Sequence, residues 1–190
     1  MNTLDAIYAR RAVKQYDPTH ELSAEEERTL LQAAMQSPTS FNMQHWRFVL
    51  VKDKALRAQV REAAWGQPQI TDASLLIVLT AELRPWSQPD SHAARDMIIS
   101  FYEGNPQLQR DEVMRSVGIA GQTLMLAAKA MGYDSCPMIG FEADKVARLI
   151  NLPADHAIGM IVVVGKAVQE PTPKRDKLTL DEVVVVDRFA

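Results

Sequence analysis

The chain has 190 residues, 47% hydrophobic content and a formal net charge of −3. That is enough to bury one substantial core, and the cations are spread too evenly to mark a nucleic-acid or acidic-membrane binder. A single cysteine, Cys136, excludes an internal disulfide framework and suits a reducing, cytoplasmic setting.

The opening "MNTLDAIYARR" has no basic region followed by a long apolar core, so no secretion signal is expected. Leu4 to Ala9 predicts a short helix, with Arg10, Arg11 and Lys14 directly behind it. Two readings stand. Cations favour a helix C-terminus through its dipole, and guanidinium groups also grip anions bidentately. Further on, Ser23 and Glu26 form a capping-box pattern, and the helix they start turns Leu30, Leu31 and Ala34 inward. It must stop before Pro38, because the residue preceding a proline avoids the α region.

Residues 37–48, "SPTSFNMQHWRF", place two small hydroxyls, an Asn and a Gln ahead of a Trp. A loop able to hydrogen-bond a flat polar ring would use this whole set. "WRFVLVKD" predicts a strand with Trp46 in the core. Asp53 can then cap a helix running to about Trp65. "ASLLIVLTA" is continuously apolar, as in a strand covered on both faces. Residues 84–110 read as irregular, with a helix near 91–102 and a break at Gly104-Asn105-Pro106. A long helix is expected from Asp111 to Met131, closed by Gly132 as its C′ residue. Its apolar stretch, Ser116 to Ala128, is too short to span a bilayer. "CPMIG" predicts a turn, Glu142 to Ile150 a helix and "IGMIVVVG" a strand. The tail "PTPKRDKLTLDEVVVV" reads as a basic loop, with Lys174, Arg175 and Lys177, and a strand-like end. The interleaving of helices and strands predicts a mixed α/β or α+β fold.

There is no G-x-G-x-x-G after a strand and no Walker A motif. His20, His45, His92 and His156 have no partner at metal-ligand spacing, so no metal site is expected. Cys136 beside a proline reads as packing rather than as a nucleophile paired with His156. The two basic clusters, at opposite chain ends, gain meaning only if the fold brings them together.

"RRAVKQYD" followed by "SPTSFNMQHWRF", "AAWGQPQITDASLLIVL", "AAKAMGYDSCPMIGF" and "KRDKLTLDEV" resembles the FMN-dependent nitroreductase family, in order and over nearly the whole chain. The subgroup it most resembles is the short NAD(P)H nitroreductases or quinone reductases. The resemblance implies an intertwined homodimer with a mixed central sheet flanked by helices and FMN sites at the interface. It implies one domain over 1–190, with 84–110 a variable excursion and 171–190 an extension toward the partner. Arg10, Arg11 and the backbone at Ala12 would meet phosphate and ribityl, and Lys14 the pyrimidine edge of the ring. Pro38, Thr39, Ser40, Asn42 and Gln44 would reach the flavin held mainly by the other subunit. His45 stands where many members carry proline. Gln67 and Gln69 would face the pyrimidine, where relatives use an amide or a Lys. Pro137, Met138, Ile139 and Gly140 would offer backbone N–H groups to the ring, and Arg175 and Lys177 would hold phosphate, with Lys174 a competitor. Trp86, Phe101 and Tyr102 fall where the family walls its substrate channel.

The implied reaction is ping-pong, from NADH or NADPH through flavin N5 to a nitroaromatic or quinone acceptor, with no protein acid or base. Two other readings share the resemblance. One is a relative with different chemistry: an enal or semialdehyde reductase, a dehalogenase or a flavin-cleaving enzyme. The other is a non-catalytic flavin-binding redox protein.

Overall fold

The computed structural model of the chain describes residues 1–85 and 95–189. Four strands form one sheet in the order β1-β2-β4-β3. They are β1 (Trp46–Leu50), β2 (Leu75–Glu82), β3 (Asp134–Met138) and β4 (His156–Gly165). Their pairings are antiparallel, and an isolated parallel bridge joins Ala12 to Ser135.

β2 lies inside the sheet and is buried along its whole length. Because side chains alternate across a strand, Leu75, Ile77, Leu79 and Ala81 enter one core, while Leu76 and Val78 enter the other. Val162 and Val164 of β4 join the first core; Ile161 and Val163 join the second. This is why both strands read as unbroken apolar runs.

Eight helices are described: α1 (Thr3–Ala9), α2 (Ala24–Ala34), α3 (Lys54–Ala63), α4 (Gln69–Asp72), α5 (Arg95–Tyr102), α6 (Pro106–Ala130), α7 (Ala143–Leu149) and α8 (Leu180–Val183). α2 and α6 cover one face of the sheet; α3, α4 and α7 cover the other. Ser23 caps α2, with Glu26 completing the capping box, and Asp53 accepts from the Leu56 amide at 2.7 Å to start α3. Leu30 and Ala34 are fully buried as expected, with Leu31 packed beside them.

Four expectations are corrected. α6 begins at Pro106, not Asp111, because Asn105 is an N-cap accepting from Leu108 and Pro106 occupies the first turn. Most of "CPMIG" is strand: Pro137 pairs opposite Val162, and β3, at the edge of the four-stranded order, tolerates the missing N–H. α3 ends at Ala63, two residues early, where Trp65 and Gly66 turn to positive φ. The tail carries the one-turn α8 rather than a strand. Of the helix expected over 91–102, α5 is described; its earlier residues, including His92, and Trp86 lie outside the described residues.

Candidate functional site

The fold brings the two chain ends together. Lys174 Nζ donates to the Ile7 carbonyl at 3.1 Å, fixing the start of the tail against the last turn of α1. Desolvation first, then the fields of Arg11, Arg10 and Lys177, hold the Lys174 ammonium below its ordinary pKa. Arg11 caps α1: its Nη1 donates to the carbonyls of Tyr8, Ala9 and Arg10 at 2.7, 3.0 and 3.1 Å. The helix-end reading therefore describes Arg11. Arg10 is different, because its Nη1 is buried without a protein partner. Among the described residues, no carboxylate forms an ion pair with Arg10, Arg11, Lys14, Lys174, Arg175 or Lys177. Like charges gathered without a counter-charge are poised for an anion.

The bridge from Ala12 to Ser135 and the Val13 amide bond to the Ser135 carbonyl lay this basic segment beside β3. Burial pushes the Cys136 thiol up in pKa, while Lys14 and Arg10 pull it the other way, which places both cations close to β3. Cys136 lies opposite Val163, seven residues along β4 from His156, or about 23 Å at ordinary strand rise. The two do not meet, and His156 instead contacts Asp155 at 2.7 Å.

β3 leads directly into the turn at Ile139 and Gly140. Pro137 lies in the strand and Met138 is buried; the Ile139 side chain is 81% exposed. Among the described residues the Gly140 amide donates to no protein acceptor. Gln67 Nε2 donates to the Gly140 carbonyl at 2.8 Å, and the buried Gln69 donates to Gln67 Oε1 at 2.9 Å. Sequence reasoning missed Trp65. Its ring is 69% exposed and lies against Gly140, where a Cβ would come within 3.1 Å of Cζ3. The available signal was an aromatic placed directly after an amphipathic helix and before Gly-Gln-Pro-Gln.

The loop at 38–44 forms a second group. Phe41, Asn42 and Gln44 all take positive φ, a backbone that Asn adopts readily but that costs Phe and Gln. Thr39 Oγ1 accepts from the Gln44 amide at 2.9 Å, and Ser40 Oγ accepts from the Tyr102 hydroxyl at 2.8 Å. Tyr102 is core. Phe101 is exposed and meets Phe41 edge-on at 6.4 Å. Pro38, Asn42 and Gln44 are exposed. Among the described residues no hydrogen bond or ion pair joins this loop to the cations or to the Gly140 turn. Arg175 is exposed and likewise takes no such bond. No described group of His, Cys, Asp and Glu could hold a metal ion, and no described helix is long and apolar enough to cross a membrane.

The chain is 54% identical to Protein DrgA of Synechocystis over 92% of this chain and 89% of that one. It is 30% identical to a protein named NADH dehydrogenase of Thermus thermophilus, covering 95% and 93% of the two chains. Its fold is similar to that of a nitroreductase-type protein of Exiguobacterium sibiricum solved in complex with FMN, with a TM-score of 0.87, 25% identity and 97% of each chain covered. The model of the Nitroreductase family matches residues 7–166, which contain the basic segment, the polar loop, the glutamines and the Gly140 turn, and on that match the chain belongs to the Nitroreductase family.

Proposed function

We propose that this protein is an FMN-dependent NAD(P)H oxidoreductase that reduces nitroaromatics or quinones. The observation that carries the reading is the meeting of cations from both chain ends without an ion-pair partner among the described residues, with Arg10 and Lys14 beside β3, the strand that leads into a turn with a free backbone N–H. The residues present fit FMN. Arg10, with its orphaned Nη1, and Lys174, Arg175 and Lys177 offer the donors a phosphate needs. Arg11 and the Ala12 backbone border that place, and Lys14 supplies a cation for the pyrimidine edge. The Gly140 amide offers a hydrogen bond to a ring acceptor. When bound, FMN would supply ping-pong hydride chemistry through N5 between NAD(P)H and the acceptor. The protein binds, orients and sets the charge around it.

The working unit is a homodimer. Leu4 and Tyr8 of α1, and Leu178, Leu180, Val183, Val186 and Phe189 of the tail, expose apolar surface that an isolated chain would not keep in contact with water. Residues 171–190 extend toward the partner, and 84–110 form an excursion on a single domain. The 38–44 loop, which makes no bond to the cations of its own chain among the described residues, completes the partner's site with Thr39, Ser40, Asn42 and Gln44. The acceptor is a small aromatic, and the setting is cytoplasmic.

The test is direct. Purified protein should be yellow, release FMN on heating, bleach with NADH or NADPH and recolour with menadione. A colourless protein that takes up no added FMN overturns the reading.

A further inference from the structure

The structure assigns Trp65, Gln67 and Gln69 a task that none of them performs by touching a reacting atom: they are positioning residues that hold the Ile139–Gly140 turn and so fix the direction of the free Gly140 amide. The inference rests on the flavin reading above, which gives that amide its partner.

The turn is gripped from several sides by the segment that follows α3. The Glu142 amide donates to the Ala63 carbonyl at 2.8 Å, anchoring the far end of the turn to the last residue of α3. The Phe141 amide closes on the Ile139 carbonyl at 3.1 Å. Gln67 Nε2 holds the Gly140 carbonyl at 2.8 Å. A carbonyl can only accept, so Gln67 must present its NH₂ there and its oxygen toward Gln69. Gln69, 1% exposed, meets that oxygen at 2.9 Å and lies 3.8 Å from Met138 Sδ, on the strand that delivers the turn. The relay runs from a buried amide, through a half-buried one, to the backbone. Pro68 between the two glutamines restricts the backbone at 67 and 68, so their spacing is held.

Trp65 closes the clamp. Its φ of +56° places the ring against Gly140. A Cβ at Gly140 would lie 3.1 Å from Cζ3, so a side chain there would push the Trp65 ring away by a few tenths of an ångström, while Gln67 Nε2 at 3.7 Å is at ordinary contact distance. Gly140 itself does not have a positive φ, so what the glycine provides here is the close seat of the Trp65 ring rather than backbone freedom. Neither glutamine carries charge, so the relay orients the amide without altering the electrostatics that Lys14 sets.

The experiment uses Gln67→Leu, which removes both relay bonds, and Gln67→Glu, which keeps the shape but turns an oxygen toward the Gly140 carbonyl. Two readouts are taken. In the apoprotein, amide exchange at Phe141 and Glu142 should quicken roughly fivefold, as expected for losing one net hydrogen bond, with β4 amides unchanged. In the FMN-loaded protein, the midpoint potential should shift in Gln67→Leu, which adds no charge. Faster exchange with an unaltered potential makes the contact merely structural and overturns the inference. Unaltered exchange in both variants overturns it as well. In either case FMN uptake by the wild type leaves the flavin reading standing. A wild type that takes up no FMN overturns the flavin reading, and the inference falls with it.

Discussion

Single residues decide how charge is spent in this molecule. Arg10 and Arg11 are neighbours of the same type, yet Arg11 caps a helix and Arg10 keeps a buried nitrogen without a protein partner. The sequence offered both readings and could not divide them, because the division depends on which carbonyls lie within reach. Glu26 shows the same dependence. Its capping-box role was legible, but its strongest partner, Tyr133, lies 107 residues away with its hydroxyl 2.6 Å from Oε1. The Tyr133 hydrogen bond first, then the Ser23 backbone and side chain, hold the Glu26 carboxyl at about 2. A depressed carboxylate stabilises the fold above its ordinary pKa, and that contribution fades as pH falls from about 4.5 toward 2. Tyr133→Phe should therefore lower the urea midpoint at pH 7. The difference from wild type should shrink across that acid window. A difference constant with pH would mean the hydroxyl acts through packing alone.

At the scale of elements, the fit of α6 against the sheet is the tightest packing contact among the glycines. A Cβ at Gly159 of β4 would lie 2.3 Å from Val117 Cγ1 and 2.9 Å from Val117 Cβ. The glycine lets helix and strand approach, so its reason is contact rather than conformation. Gly159→Ala should destabilise the protein by about 1–3 kcal/mol, the usual range for overpacking, as read by urea unfolding. Shortening Val117 to Ala in the same chain should recover part of the loss. The sequence pattern located most of these elements, since caps, apolar runs and the Gly132 stop are local signals. It failed at Pro106 and at "CPMIG", where proline looked like punctuation. In one case proline sits in the first turn of a helix, and in the other it lies on an edge strand. Both places spare the N–H that proline lacks.

For the whole molecule, the candidate residues fall into two groups with no direct bond between them among the described residues of a chain. A site shared across a two-fold axis makes a numerical prediction. Combine Arg10→Ala with Lys14→Ala in one chain, and Asn42→Ala with Ser40→Ala in another, so that neither homodimer holds FMN. Refolded together in equal amounts, half the dimers are mixed, and in each of these one site inherits both lesions and the other neither. About a quarter of all sites should regain FMN. Zero recovery, with mixed dimers shown to have formed, would place both groups in one subunit's site.

The sequence by itself determined the class of fold, the covered strands β2 and β4, the capped starts of α2 and α3, and a family resemblance that the family match bears out. These are set by period, capping chemistry and local sterics, all of which act over a few residues. Only the tertiary structure decided that Lys174 joins Arg10, that Gln67 is bound to a carbonyl 73 residues away, and that the tail lies exposed rather than forming a strand. Contacts between distant segments depend on how helices and sheet stack. Many sequences share the same local signals, and the stacking selects which polar groups lose water together and must find one another.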